Sequence, residues 1–387
     1  MISRLSNHFI RAGLLMLAAF SAAHAQTPSV FASGLQFPSR IIVGPNGNLL
    51  VTEATASPNT GRISLLDRAG TRRTVLGGLP SGPSAPGLDV DGPNGLVLSG
   101  RTLYIANGEG DSFRSGPRPR TILPNPDGPS SPMFSTILSV TFSNDVDKLA
   151  AGLSLTAADH FTLIDGGTVT LTNDSGDSAT VTVLAALRPD RPDPGSIYRN
   201  THLYGLALLT SQPKTLYAND AGNNTLWQVD ISTGRLKVLT RFPNTPNPIA
   251  PTGPPTSEAV PSSVRAYGDR LLVTLLAGAP FAPFTSRVME VDPATGNATP
   301  FILQLSSAID SIFRQRANGT GQWFVLQYSL NQTAGAPGRL LVFNTPSGEI
   351  LADGLKTPTG LAFDESTNDI YILSRGEGTV LRINVDR

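Results

Sequence analysis

A short unit of apolar strands and polar turns recurs along this chain, and it limits the folds that the chain can adopt. The last copy, residues 356–383, reads KTPTGLAFDESTNDIYILSRGEGTVLRI. It contains an apolar strand at 360–363, a polar turn, a second strand at 369–373 and, after a glycine-containing turn, a third strand at 379–383. Three short strands joined by tight turns form an antiparallel sheet. Such a sheet cannot bury both of its faces alone, so we expect several copies to stack on one another.

Five earlier segments of the chain open in the same way. The third residues of the six openings recur about every 50 residues, at Arg40, Gly95, Gly205, Ser263, Ser311 and Gly360. A repeat of this length with three or four strands is typical of a β-propeller, in which blades stack in a ring and bury each other's faces. The sequence therefore predicts an all-β protein, a six-bladed β-propeller that spans residues 26–387.

The two ends of the predicted ring complement each other. The chain stops after the third strand of the last unit, and residues 29–32 form a spare strand near the N-terminus. Pairing the spare strand with the last blade would remove two unpaired sheet edges. We therefore expect an N-terminal strand to close the propeller.

The interval between Gly95 and Gly205 is about twice as long as most of the others, which leaves a seventh blade as an alternative. We predict instead that residues 134–142 and 179–187 are the outer strands of the second blade. The residues between them, about 143–179, would form a small α/β insertion with one short helix capped by Thr156. His160 lies on this helix, where we expect it to be exposed.

The first 25 residues have the pattern of a secretory signal peptide. Arg4 and Arg11 precede an apolar run at 14–23, and a small-x-small cleavage motif ends at Ala25, before Gln26. The apolar run is too short to span a bilayer, although an uncleaved N-terminal anchor is the alternative. We therefore expect export to the periplasm or the extracellular space, without a membrane span.

Charge and composition exclude several classes of function. The chain has 29 basic and 29 acidic residues, so it lacks the basic excess of a nucleic-acid-binding protein. It has no cysteine, which excludes disulfides and thiolate metal sites. Removal of the leader would leave only His160 and His202, too few for a three-histidine zinc site. No G-x-S-x-G or G-x-G-x-x-G motif points to a serine hydrolase or a dinucleotide site. We expect a monomer whose partner is a small molecule or a protein.

Two stretches carry a resemblance to a known family. FASGLQFPSRIIVGPNGNLLVTEA near the start and LYGLALLTSQPKTLYANDAGNNTLWQVD in the middle resemble NHL-type six-bladed propellers and, more closely, the ScyD/ScyE family. Together with the leader, the resemblance implies an exported propeller. Its motifs are those of repeat packing, so it specifies the fold well and the activity poorly.

The innermost strands predict a ring of side chains in the central channel. The ring comprises the residues just before the aligned set: Ser39, Asn94, Tyr204, Ser262, Asp310 and Thr359. Asn94 and Asp310 carry oxygen atoms of the kind that Ca²⁺ prefers. Gluconolactonase-like propellers, which this chain resembles in fold, hold a divalent ion with Glu, Asn and Asp. That resemblance implies Asn94 and Asp310 as metal ligands, although Ser39 stands where the Glu is expected. We favour the other interpretation, a ring of channel-lining groups hydrogen-bonded to water.

A second ring of polar residues follows the second strands: Glu53, Asn107 with Glu109, Asp220, Gln327 and Arg375. Neighbouring carboxylates here could exchange protons with a substrate, or they could cap turns and pair with arginines, and we favour the capping of turns. The sequence thus favours a binding or scaffold module with no evident cofactor. The alternative is a Ca²⁺-dependent hydrolase of the lactonase type, in which a carboxylate such as Glu53 or Glu109 completes the metal site.

Overall fold

Alternating apolar residues form six antiparallel sheets in the computed structural model, which describes residues 16–17, 25–84, 89–117, 122–187, 201–251, 253–316, 318–344 and 347–385. Each sheet is one blade with four main strands. From the axis outward these are Pro38–Val43, Leu49–Glu53, Gly61–Leu66 and Arg72–Leu79 in blade 1; Pro93–Ser99, Thr102–Asn107, Thr136–Phe142 and Ser178–Ala186 in blade 2; Leu203–Leu209, Gln212–Asp220, Thr225–Asp230 and Leu236–Arg241 in blade 3; Pro261–Tyr267, Arg270–Leu275, Ser286–Val291 and Ala298–Leu305 in blade 4; Ala308–Gln315, Gly321–Gln327, Gly338–Phe343 and Gly348–Leu355 in blade 5; and Pro358–Asp364, Asp369–Ser374, Thr379–Asn384 and Ser29–Ala32 in blade 6.

The six blades close into a ring, because the innermost strand of each blade packs against that of the next and blade 6 packs against blade 1. The predicted six-bladed propeller is therefore confirmed, and the seven-blade alternative is wrong. Apolar side chains fill the spaces between neighbouring blades, as Leu272 of blade 4 and Phe343 of blade 5 do. We call the face at which the innermost strands begin the upper face; the chain also passes from blade to blade there.

Blade 6 combines strands from both ends of the chain. Ser29–Ala32 runs antiparallel to Thr379–Asn384, with Val30 opposite Leu381. The Phe31 ring meets the Tyr371 ring edge-on at 5.0 Å between centroids. Of the predicted leader, Met16–Leu17 pairs with the outer strand of blade 4, and its other residues up to position 24 lie outside the described part of the chain. Within the described residues, no helix is long and apolar enough to cross a membrane.

The segment between the outer strands of blade 2 also contacts blade 1. It contains Leu153–Ser154, which pairs with the outer strand of blade 1, the helix Ala157–Ile164, and Val169–Thr172, which extends blade 2. Thr156 and Asp159 cap the helix through reciprocal hydrogen bonds. The segment thus covers the edges of two blades.

His160 is buried on this helix, so its expected exposure is wrong. One of its ring nitrogens lies 2.9 Å from Ser131 Oγ and the other lies 2.7 Å from the carbonyl oxygen of Gly78 in blade 1. These two contacts fix the helix against the blades, a role that periodicity along one short helix does not reveal.

Short elements lie in the connections between the main strands: the hairpins Gly82–Ser84 with Asp89–Asp91, Phe113–Ser115 with Ile122–Pro124 and Thr245–Pro246 with Thr256–Ser257, and the 3-10 turns Pro45–Gly47 and Gln332–Ala334. The first hairpin and the second 3-10 turn lie at the upper mouth of the channel, where they form part of the site described below.

A β-bulge recurs at the start of every innermost strand. The first residue pairs with the last residue of the second strand in the sheet, as Leu203 does with Asp220, and the register then shifts by one residue. The extra residues form one layer, which we call the bulge ring: Ser39, Asn94, Tyr204, Ser262, Ile309 and Thr359. In blade 5 the sequence alignment is therefore wrong by one position. Ile309, not Asp310, is the counterpart of Asn94, and Asp310 belongs to the next layer with Arg40.

Candidate functional site

Asp310 lies at the centre of a buried ionic cluster that spans the channel. Its Oδ2 is 2.8 Å from Nη1 of Arg40 and 2.6 Å from Nη2 of Arg265, and its Oδ1 accepts a hydrogen bond from Nε of Arg265 at 3.0 Å. The backbone N–H groups of Ser311 and Leu361 also donate to this carboxylate, at 2.9 and 3.0 Å. Burial alone would raise the pKa of Asp310, but the two guanidinium groups and the Leu361 N–H hold it at about 2.

Glycines at the equivalent positions of other blades provide the space for this cluster. The counterparts of Asp310 in blades 2, 3 and 6 are Gly95, Gly205 and Gly360, which place no side chain beside the guanidinium groups. Arg40, only 3% exposed, also donates to the carbonyl of Ser262 across the channel at 2.9 Å. The cluster of Arg40, Asp310 and Arg265, which we call the plug, therefore ties blades 1, 4 and 5 together across the axis.

Above the plug lies a cavity of about 190 Å³, which we call the cup. Five members of the bulge ring line it: Ser39, Asn94, Tyr204, Ile309 and Thr359. Its remaining lining comes from loops of the upper face: Ser84, Asp89, Val90, Asp91, His202, Leu276, Tyr328, Gln332 and Arg375. The β-bulge is thus what brings these floor residues to the mouth of the channel.

Arg375 holds one side of the cup in place. Its Nη1 donates to the carbonyl of Phe37 at 2.8 Å and to Ser39 Oγ at 2.9 Å. Its Nε and Nη2 lie 3.3 and 2.9 Å from Asp89 Oδ1, and Nη2 also donates to the carbonyl of Val90. A guanidinium group has five N–H donors. All five are engaged here, so Arg375 joins blade 6 to blade 1 and to the hairpin before blade 2.

Asp91 and His202 form a second ion pair in the lining of the cup. His202 Nε2 lies 3.5 Å from Asp91 Oδ2. The Asp91 carboxylate also accepts hydrogen bonds from Asn94 Nδ2 at 2.8 Å and from the N–H of Gly110 at 2.9 Å. Burial lowers the pKa of His202, but Asp91, together with Glu109 and Asp220, more than compensates and raises it to about 9. The same interactions hold the pKa of Asp91 well below its usual range despite burial. His202 is therefore a cation at neutral pH and already has its counter-charge.

Glu109 and Asp220 lie behind this pair and differ in their partners. Asp220 accepts hydrogen bonds from the N–H of His202 at 2.9 Å and from the side chain of Asn223 at 3.0 Å, so it caps a turn even though burial raises its pKa. Glu109 is 5% exposed, and its Oε2 has no hydrogen-bond partner within the described structure. Burial, with the nearby carboxylates of Asp91 and Asp220, raises the pKa of Glu109 to about 7, against the opposing effect of His202.

Glu53, the other predicted carboxylate, lies away from the cup. Its Oε2 is 2.8 Å from Arg62 and 3.2 Å from Arg72, and it accepts the N–H of Gln36 at 2.6 Å. Ser64 donates to the other oxygen. These partners satisfy the carboxylate, and they make Glu53 a cross-link within blade 1.

The structure thus separates the predicted residues into groups. Asn94 and Tyr204 line the cup, and Glu109 and Asp220 lie next to it, whereas Asp310 and Glu53 belong to the plug and to blade 1. Asp91 and His202 were not among the predicted site residues. Both residues lie just before an innermost strand. A titratable residue at that position is the sequence feature that could have identified them as site residues.

A calcium ion does not fit the predicted ligand pair. Both oxygens of Asp310 are occupied by cationic or amide donors, and two guanidinium groups would repel a divalent cation. Among the described residues, no group of three or more His, Asp or Glu side chains is arranged to hold a metal ion.

Several solved structures are similar to this chain at low sequence identity. No family model and no curated protein matches the chain. Among solved structures, a protein of unknown function from Bacteroides thetaiotaomicron VPI-5482 is similar at 10% identity and a TM-score of 0.50, over 93% of this chain and 72% of that one. A streptogramin B lyase structure is similar at 14% identity and a TM-score of 0.46, over 92% and 96%. The PQQ domain of a pyranose dehydrogenase from Coprinopsis cinerea is similar at 12% and 0.48, over 95% and 100%.

These identities are too low to transfer an activity. The chain is a six-bladed β-propeller.

Proposed function

We propose that this protein is an exported binding module that takes its ligand into the cup. The plug is the observation that carries this proposal. Because Arg40, Asp310 and Arg265 occupy the channel beneath the bulge ring, we infer that the cup is a pocket that opens at the upper face. A concave pocket with a few convergent polar groups is the usual place for a ligand.

The rest of the upper face supports a binding role. Exposed large apolar residues occur on its loops, namely Phe37, Leu123, Ile249 and Phe284. Of these, Phe37 lines the cavity next to the cup, where its ring can contact a ligand. The leader-like first 25 residues and the ScyD/ScyE resemblance support export. The pairing of Ser29–Ala32 with blade 6 supports a closing strand that keeps the exported ring intact.

Ligand-observed NMR tests the proposal. The chain from Gln26 onward would be mixed with acetate, methylammonium and glucose, which represent anionic, cationic and neutral solutes. We expect saturation transfer to at least one solute. The signal should be lost in a Tyr328→Ala/Gln332→Ala double variant, because both side chains line the cup. Gln315→Ala, an exposed change at the end of an innermost strand on the lower face, should leave the signal unchanged. Binding that survives the double variant, or no transfer to any solute, contradicts the proposal.

A hydrolase of the lactonase type is the second candidate, and Glu109 is the observation that favours it. A buried carboxyl that titrates near neutral pH, beside the His202–Asp91 pair, is suited to proton exchange with a substrate. Hydrolysis of gluconolactone would be followed with EDTA and with Ca²⁺. This candidate requires that the wild type hydrolyses the lactone and that the Glu109→Gln variant remains folded but is inactive. If hydrolysis requires Ca²⁺ and Asp310→Asn abolishes it without unfolding the protein, Asp310 is a metal ligand after all, against the geometry of the plug.

A further inference from the structure

Every charged side chain that lines the cup has an opposite charge as its partner. Asp89 pairs with Arg375 at 2.9 Å, and Asp91 pairs with His202 at 3.5 Å. A charged ligand gains little from such a lining, because it must compete with a neighbouring side chain for each counter-charge. The cup therefore lacks the uncompensated charge that recognises an anion or a cation.

The cup continues outward as a groove over blades 5 and 6 and the segment that precedes blade 1. Two further cavities, of about 460 and 840 Å³, share Tyr328, Thr357, Gly376 and Glu377 with each other, and Tyr328 also lines the cup. The additional charges in this groove are paired as well, since Lys356 Nζ lies 2.8 Å from Glu377 Oε1. The charge balance thus extends along an elongated surface much larger than the cup.

The side chains of the lining that remain able to contact a ligand are neutral. Gln332 lines both the cup and the groove, and its Oε1 is buried without a hydrogen-bond partner in the described structure. Tyr204 and Tyr328 add aromatic rings that carry hydroxyl groups, and Leu276 and Ile309 add apolar surface. A ligand that presents hydroxyl groups on its edges and apolar C–H groups on its faces matches this combination. Sugar rings have this chemistry.

From this combination we propose that the cup and groove bind a neutral oligosaccharide, with one terminal sugar in the cup and the following sugars along the Tyr328 side of the groove. This inference rests on the proposed binding function and names its ligand class. At about 190 Å³ the cup is smaller than a pocket for a drug-sized molecule, which suits a single ring at the end of a chain.

Isothermal titration calorimetry tests the ligand class. The probes are hexasaccharides of glucose (both α-1,4 and β-1,4), mannose, xylose and galactose, with hexagalacturonate and hexaglucosamine as charged counterparts. We expect at least one neutral hexasaccharide to bind more tightly than its disaccharide, with an affinity that is the same at low and at high salt. Tyr328→Ala should weaken that binding by about tenfold through loss of ring stacking. Gln315→Ala should bind like the wild type.

Three results would overturn the inference. One is preferential, salt-sensitive binding of hexagalacturonate or hexaglucosamine. Another is binding of a neutral chain that is unaffected by Tyr328→Ala. The third is the absence of binding by every neutral chain. If acetate or methylammonium still reaches the cup in the NMR experiment, only the sugar inference fails. If no solute reaches the cup either, the binding function fails with it.

Discussion

Replacing Asp310 with Asn tests the plug, because it removes the carboxylate and leaves Arg40 and Arg265 without their counter-charge. Breaking a buried ion pair from one side typically costs about 3–5 kcal/mol. The pKa gives a separate figure: a fall from 3.8 to about 2 corresponds to about 2 kcal/mol that favours the ionised group in the folded state. We therefore expect Asp310→Asn to lower the free energy of unfolding by about 3 kcal/mol.

Urea unfolding of the chain from Gln26 onward measures this loss, and blade 5 supplies a matched control. Asp353 pairs with Arg339 at 3.3 Å, but its side chain is 45% exposed. Asp353→Asn should therefore cost less than about 1 kcal/mol. Because the folded-state pKa of Asp310 is depressed, its contribution should be present above about pH 4 and be lost as the pH falls towards about 2. The Asp310→Asn variant should lack this acid-dependent loss.

Two results would refute the reasoning about the plug. Equal costs for Asp310→Asn and Asp353→Asn would mean that the buried cluster contributes no more than an exposed pair. A melting temperature that EDTA lowers and Ca²⁺ raises in the wild type, but not in Asp310→Asn, would mean that a bound ion satisfies this carboxylate. Because cationic and amide donors occupy both oxygens of Asp310, we expect the melting temperature to be the same with EDTA and with Ca²⁺.

Three further predictions concern the cup and the ring. Folding raises the pKa of Glu109 from 4.5 to about 7, so the free energy of unfolding of the wild type should fall by about 3 kcal/mol as the pH rises through this interval. In urea unfolding, the free energy of unfolding of Glu109→Gln should depend less on pH over the same interval. NMR titration of the chain from Gln26 onward should give two imidazole pKa values on opposite sides of 6.5. The pKa of His202 should be about 9, and burial should lower the pKa of His160 below 6.5. Deleting residues 26–32 should lower the free energy of unfolding by at least about 1 kcal/mol, because blade 6 loses a paired strand and the Phe31 ring contact; an unchanged urea midpoint would contradict this.

The architecture was predictable because each blade repeats the same local signals of strand length, turn chemistry and apolar alternation. The error at Asp310 has a physical origin in the β-bulge. Four innermost strands begin with proline, which marks the register in the sequence, but blade 5 begins with Ala308 and has no glycine two residues later. A bulge shifts the register by one residue, and apolar alternation cannot detect that shift without such a marker.

The candidate site was less predictable than the fold, because its partners meet only across blades. Asp91 and His202 lie in connections before blades 2 and 3, and nothing local in the sequence indicates that they form an ion pair. The loop that carries Glu109 gives a partial signal. Gly110 has a φ of 51°, a backbone region that favours glycine, and its N–H donates to Asp91. A side chain at Gly108 would collide with the same carboxylate, so both glycines allow the loop to approach the cup.

The contact between blade 6 and blade 1 both closes the ring and shapes the cup. Arg375 follows the second strand of blade 6 and binds Phe37 and Ser39 of the first blade, as well as the hairpin that carries Asp89. Blade 6 also pairs with Ser29–Ala32 at its outer edge, and the Arg375 contact that shapes the cup spans the joint between blade 6 and blade 1. Opening this joint would separate Arg375 from Asp89 and leave both charges unpaired at the mouth. The neutral charge balance of the cup is therefore a property of the closed ring rather than of any single blade.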